Sequence, residues 1–201
     1  MSNLIENIIP RQNFEIVGEK IGEILFLELQ NQKNLQNFSD PINVFSERTV
    51  GFGNEDEIYI NICLSSGSYS EKTQKDQQGL TVFNIDVFSN AKESESKSGG
   101  ENSAYRLQKF IGMIRYILSH TDYKTLGLPL GFIGGTSFES FEISEPDYKQ
   151  DSSFFKMARI LFSVRIWENQ SMSKFSAFEG NSTSVKLDLT ELGYKFNFKN
   201  Q

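Results

Sequence analysis

The sequence predicts an α+β fold: a mainly antiparallel β-sheet packed by two helices, in the order α-β-β-β-α-β-β, with a C-terminal β-hairpin extension. Two segments carry apolar residues at helical spacing. Several others alternate apolar and polar residues at the two-residue period of a half-buried strand. A stretch of Lys, Glu, Ser and Gly between the third strand and the second helix has no periodicity at all.

Residues 1–10 read as an arm with Leu4, Ile5, Ile8 and Ile9 as its apolar contacts. Pro10 suits a first helical turn, where its missing N–H costs nothing. The first helix is predicted over Gln12–Gln30, with Phe14, Val17, Ile21, Ile24, Leu25 and Leu29 on one face. Gly18 and Gly22 lie inside it and weaken it by about 1 kcal/mol each relative to Ala. Their expected return is close packing against a sheet or a neighbour. A polar connection over Asn31–Asp40 then leads to Pro41.

Ile42–Thr49 is predicted as the first strand and Gly51–Asn54 as a turn. Glu57–Ser65 alternates, with Ile58, Ile60, Ile62 and Leu64 opposite Tyr59, Asn61 and Cys63. Ser65–Gly79 reads as a long polar loop. Leu80–Asn90 is the third strand, with Phe83, Ile85 and Val87 on one side. Such alternation fits an antiparallel sheet with one buried face.

Residues 91–102 are low in complexity and read as a linker. Asn102 or Ser103 is the expected cap of a second helix running to about His120. Its stripe is Ala104, Leu107, Ile111, Ile114 and Leu118. Thr121–Gly135 is irregular and glycine-rich. Thr136–Ser144 is a strand whose alternation breaks, which predicts a bulge. Phe154–Glu168 is the strongest strand, with Ala158, Ile160, Phe162, Val164 and Ile166 on one face. Fully extended it would reach roughly 40 Å. Beyond it, Val185, Leu187 and Leu189, then Tyr194, Phe196 and Phe198, alternate as a terminal hairpin. The expected organisation is an arm over 1–10, a domain over 11–168 and an extension over 169–201.

Composition narrows the function. A chain of 201 residues with 18 Phe can bury a sizeable core. Its mean hydropathy of −0.39 predicts a polar, soluble surface. One cysteine, Cys63, excludes an intramolecular disulfide. A net charge of −6 argues against a protein that grips phosphates, but not against a ring whose acidic wall lets nucleic acid pass. Residues 1–9 lack a basic n-region, and Glu6 interrupts their apolar stretch, so no signal peptide is expected. No apolar run approaches the roughly 20 residues that span a membrane.

No catalytic, cofactor-binding or metal-binding residue is predicted. His120, the one histidine, reads as a surface residue at a helix C-terminus, where a cation is favoured. With one His and one Cys, no clustered zinc site can be built. A Cys63–His120 nucleophilic pair is weighed against a small half-buried strand cysteine, and the latter is expected. Gly131, Gly134 and Gly135 lack the Gly-Lys-Ser/Thr ending of a P-loop and lead into a strand, so they read as a tight loop. Glu55, Asp56, Glu57, Glu139, Glu142, Glu145 and Asp147 are scattered, and a solvated face is the default. Arg159, Leu161, Arg165 and Trp167 share the outer face of the long strand. They are the candidate subunit-interface residues, since Arg and Trp are enriched at interfaces. A sheet face covered by a helix is the alternative.

This order of elements resembles the tail terminator family of tailed phages and related contractile particles. The resemblance runs from about Gln12 to Glu168. It rests on the opening helix with Phe14 to Leu29, the strand Tyr59-Ile60-Asn61-Ile62 and the strand Val82-Phe83-Asn84-Ile85-Asp86-Val87. The helix Tyr105–Leu118 and the strand from Arg159 to Ile166 complete it. It implies a structural virion protein that forms a hexameric ring, caps the tail tube and joins it to neck or connector proteins at the head. It implies no enzyme and no cofactor, no specific nucleic-acid binding and no membrane, with DNA passing through the lumen. Assembly would take place in the host cytoplasm. The long strand and Ser65–Gly79 are the expected contacts. A head-completion or neck connector, or another tail or baseplate component, would share the pattern. A small-ligand-binding module and a hydrolase built on the scattered carboxylates are the readings from other classes.

Overall fold

A computed structural model describes residues 8–48, 57–70, 76–91, 98–144 and 154–169, and the strands of a C-terminal hairpin. The chain divides into two compact units, residues 1–170 and 171–201. In the first unit, helix α1 (Asn13–Gln36) is followed by strands β1 (Ile42–Ser46), β2 (Ile58–Ser70) and β3 (Asp76–Ala91). Helix α2 (Gly99–Leu118), a short 3-10 helix (Thr121–Tyr123), β4 (Ile133–Ser144) and β5 (Phe154–Asn169) complete it. The fold is α+β, in the order α-β-β-β-α-β-β. The five strands form one sheet in the order β1-β2-β3-β5-β4. All neighbours are antiparallel except β1 and β2, which run parallel from Ile42 opposite Ile58 to Ser46 opposite Ile62.

Both helices pack on the same sheet face. Val17, Ile21, Leu25 and Leu29 of α1 and Leu107, Phe110 and Ile114 of α2 meet Ile60, Ile85, Phe83 and the even-numbered residues 158–166 of β5 in one core. Each of these buried Val, Leu, Ile and Phe side chains stabilises the fold by about 1.5–3 kcal/mol. Gly18 and Gly22 lie where α1 comes closest to the sheet. A Cβ at Gly18 would be 3.2 Å from the Phe83 ring, and one at Gly22 3.5 Å from Ser46 Oγ.

Several boundaries differ from the sequence expectation. α1 continues through the polar run to Gln36, two turns beyond Gln30, and ends on Asn37 in the left-handed conformation. That run is amide-rich rather than rich in breakers, and Gln32 accepts a hydrogen bond from Gln36 one turn on. Gln12 occupies the N-cap, so Pro10 lies before the first turn rather than in it. α2 is capped by Ser98, not by Asn102 or Ser103. The Ser98 hydroxyl accepts from Glu101 N while Glu101 accepts from Ser98 N, a capping box. Ser103 lies inside the helix, where its hydroxyl donates to Ser89 O at 2.6 Å and ties α2 to the end of β3.

The largest difference is Ser65–Gly79, expected as a loop. β2 runs on to Ser70 and β3 begins at Asp76, with Ser70 opposite Gln78. Exposed Ser and Gly carry no hydrophobic alternation, so this strand left no sequence signal. Its backbone is satisfied by β3, whose outer half is itself paired to β5 up to Asp76 opposite Asn169. The expected bulge in β4 is present, at Phe138/Ser140, with a second register shift at Ile133/Gly135.

In the second unit, β6 (Gly180–Lys186) and β7 (Gly193–Lys199) form the expected antiparallel pair, Val185 opposite Tyr194. Leu187, Leu189 and the turn lie outside the described residues, as do the arm contacts Leu4 and Ile5, the 51–54 turn and Glu55, Asp56, Glu145 and Asp147.

Candidate interaction surface

The register of β5 separates two faces. Ala158, Ile160, Phe162, Val164 and Ile166 point with the helices. Arg159, Leu161, Ser163, Arg165 and Trp167 occupy the opposite parity, and neither helix packs there. The alternative of a helix-covered face is therefore not what the fold contains.

This outer face has two regions with different physics. The first, toward β2, is closed by its own polar contacts. Arg159 opposes Asp86 across β5 and β3, and its Nε and Nη2 donate to the two carboxylate oxygens at 2.7 and 2.8 Å. The Asp86 carboxylate raises the Arg159 guanidinium above its ordinary value. Asp86 is 8% exposed and Arg159 48%, so the pair buries one charge and leaves the other half in water. Next to it, Asn61 exchanges two 3.0 Å hydrogen bonds with the backbone of Arg48. The Arg48 guanidinium lies 4.3 Å from the Phe45 ring centroid and 5.7 Å from that of Tyr59. The segment leaving β1 thus folds over β2. Ser163 donates its hydroxyl to Glu139.

The second region, toward the β2–β3 hairpin, is open. Arg165 pairs with Leu80, and Trp167 with Gln78. Leu80 and Trp167 are exposed large hydrophobics, and Arg165 is exposed between them. Arg165 lies across β4 at Gly134, where a Cβ would stand 3.1 Å from its Cδ. So Arg159 and Arg165, similar in sequence, differ in role. The first is held by Asp86; the second presents its charge outward beside an indole.

The remaining candidates separate. Cys63 lies on the outer face of β2, whereas His120 follows α2 on the other side of the sheet, so no Cys–His pair forms. Burial first, then the Glu47 and Asp86 carboxylates, push the Cys63 thiol up, away from nucleophilic character. α2 ends at Leu118 with Ser119 as its cap. His120 instead caps the following 3-10 helix, its Nδ1 accepting from Asp122 N at 3.3 Å. Glu57 accepts from Asn43 Nδ2 at 2.6 Å, and Glu142 opposes Arg159 across β4 and β5. Gly131, with φ of +87°, sits in the tight turn where Phe132 N donates to Pro129 O, whereas Gly134 and Gly135, expected in the same loop, lie in β4. Among the described residues, no group of three or more His, Cys, Asp or Glu could hold a metal ion. No helix among them is long and apolar enough to cross a membrane.

The sequence did not show that Asp86 would meet Arg159, which strand register brings about, or that the Arg165 side chain would lie over Gly134, at the register shift beside its β4 partner Gly135. It also missed a groove on the helical side, lined by Glu28, Gln36, Tyr116, His120 and Tyr123. The structure defines an α+β protein with an open, aromatic- and arginine-bearing sheet face. No protein-family model matches the chain, and no curated protein is significantly similar to it.

Proposed function

We propose that the chain is a ring-forming structural protein of the tail terminator type, which caps a tail tube in a virion and joins it to the neck. The observation that carries the reading is the open half of the outer sheet face. Arg165 and Trp167 on β5 and Leu80 on β3 are presented there and lie under neither helix. Trp and Arg beside one another at the centre of a patch are the usual anchors of an interface. The sheet further supports it by ending in two unlike strands, β1 and β4. Unlike edges suit a head-to-tail contact, and such contacts form a ring when the rotation between neighbours closes. The order α-β-β-β-α-β-β is the one from which the resemblance was drawn, and it supports the reading.

The test is solution mass by light scattering on a sizing column across a concentration series, with imaging of the heaviest species. A closed ring of about six subunits, or ring closure on added tail tubes, is the expected outcome. A monomer at every concentration that also ignores tail tubes would overturn the reading.

A further inference from the structure

On the face opposite the proposed ring contact, a groove of about 490 Å³ runs between α1, the end of α2 and the 3-10 helix. Three rings line up along it. The Tyr116 and His120 centroids are 5.7 Å apart, and those of His120 and Tyr123 6.5 Å. Two carboxylates, Glu28 and Asp122, stand beside these rings. Glu28 Oε1 accepts the Tyr123 hydroxyl, which leaves Oε2 for another donor. The one cation of the lining, Lys109, sits 3.8 Å over the Phe38 ring centroid. Aromatic faces next to carboxylates form the environment that selects a weakly hydrated organic cation.

A second groove, about 220 Å³, lies between α2 and β4, against Phe141 and Ile143. Gly112 lines both grooves. A glycine in a helix interior is destabilising relative to alanine. Nothing lies within 4 Å of the position its Cβ would take, so packing within the chain does not call for it. What the missing side chain leaves is a passage across α2 from one groove to the other.

We propose that this trough binds an extended segment of a partner polypeptide. An arginine of that segment sits among Tyr116, His120 and Tyr123, with Glu28 and Asp122 as counter-charges. The segment crosses α2 at Gly112, and an apolar side chain then rests on Phe141 and Ile143. Arginine fits better than lysine, because its planar guanidinium stacks on flat rings while donating in-plane to carboxylates. The inference is independent of the ring reading and involves none of its residues.

The single histidine supplies a clean probe. The full chain is titrated with N-acetyl-arginine-N-methylamide and with its neutral isostere, the citrulline compound, while the His120 Cε1–H resonance is followed at pH 8. A saturable shift is expected with the arginine compound, and binding about tenfold weaker with the citrulline one. Glu28→Gln should bring the two within about threefold, since it removes the charge but keeps an acceptor for Tyr123. A capped Arg-Ser-Leu peptide should bind more tightly than Arg-Ser-Ser, and Gly112→Leu or Phe141→Ser should abolish that gain. Equal binding of arginine and citrulline, or an unmoved His120 signal, would overturn the cation site. Equal binding of the two peptides would overturn the extended-chain trough.

Discussion

Glu168, near the end of β5, accepts hydrogen bonds from the first two backbone N–H groups of α1, at 2.9 Å from Asn13 and 3.0 Å from Phe14. The N-cap residue Gln12 supplies no side-chain bond of its own, so a carboxylate far along the chain does this work. It closes the fold end to end and places a negative charge at the positive end of the helix dipole.

Replacing this carboxylate should therefore destabilise the whole unit, not a local turn. Glu168→Ala is expected to cost about 1–2 kcal/mol, the loss of a good cap, and equilibrium urea unfolding would measure it. Burial pushes the Glu168 carboxyl up, against the pull of its two backbone donors. The folded state therefore holds the proton more tightly than the unfolded state. Stability contributed by this group is greatest below the unfolded carboxyl pKa and falls as pH rises through the folded one. Relative to Glu168→Gln, the natural chain should lose stability between acid and neutral pH. An unchanged difference across that range would contradict this account.

The extended β2–β3 hairpin depends on a close contact between Tyr69 and Gly79, which pair across the strands. A Cβ on residue 79 would lie 2.6 Å from two carbons of the Tyr69 ring. Gly79→Ala should displace the ring and cost about 1 kcal/mol by overpacking. In the Tyr69→Ala background the same substitution should cost less, leaving only the 3.2 Å approach to Ser68 O. The coupling energy of that double-mutant cycle is the measurement.

Arg159 and Arg165 should separate stability from assembly. Arg159→Ala leaves the buried Asp86 carboxylate without its partner. Discounted for the half-exposed guanidinium, the loss is about 1–2 kcal/mol in thermal or urea unfolding. Arg165→Glu touches an exposed group and should leave the unfolding midpoint nearly unchanged, whereas Trp167→Ala, at a residue only 37% exposed, should also lower it. Both should lower the oligomer mass in light scattering. The opposite pattern, with Arg159 controlling mass and Arg165 controlling stability, would place the contact elsewhere.

Tyr123 donates to Glu28, and that bond, more than burial, pushes its hydroxyl up to about 12. Its stabilising contribution is present below the ordinary tyrosine value, about 10, and is lost as pH rises through the raised one. A tyrosinate absorbance titration should lose its step near 12 in Tyr123→Phe. In Glu28→Ala that step should move toward the ordinary value.

What the sequence determined by itself is what repeats locally. The apolar spacing of α1 and α2 fixed both helices and their inward faces. The alternation from Ala158 to Ile166 marked β5 and assigned Arg159, Leu161, Arg165 and Trp167 to its outer face. These signals are legible because burial on one face imposes a period. The tertiary structure alone decided what depends on register and on distant closure. Asp86 meets Arg159, and Glu168 reaches the start of α1, only because strands far apart in sequence lie side by side. β1 joins β2 in parallel for the same reason. The Ser- and Gly-rich half of β2 was invisible because backbone pairing, not side-chain burial, holds it. The trough at Gly112 belongs to the same class: its rings and carboxylates come from α1, α2 and the 3-10 helix, and only packing brings them together.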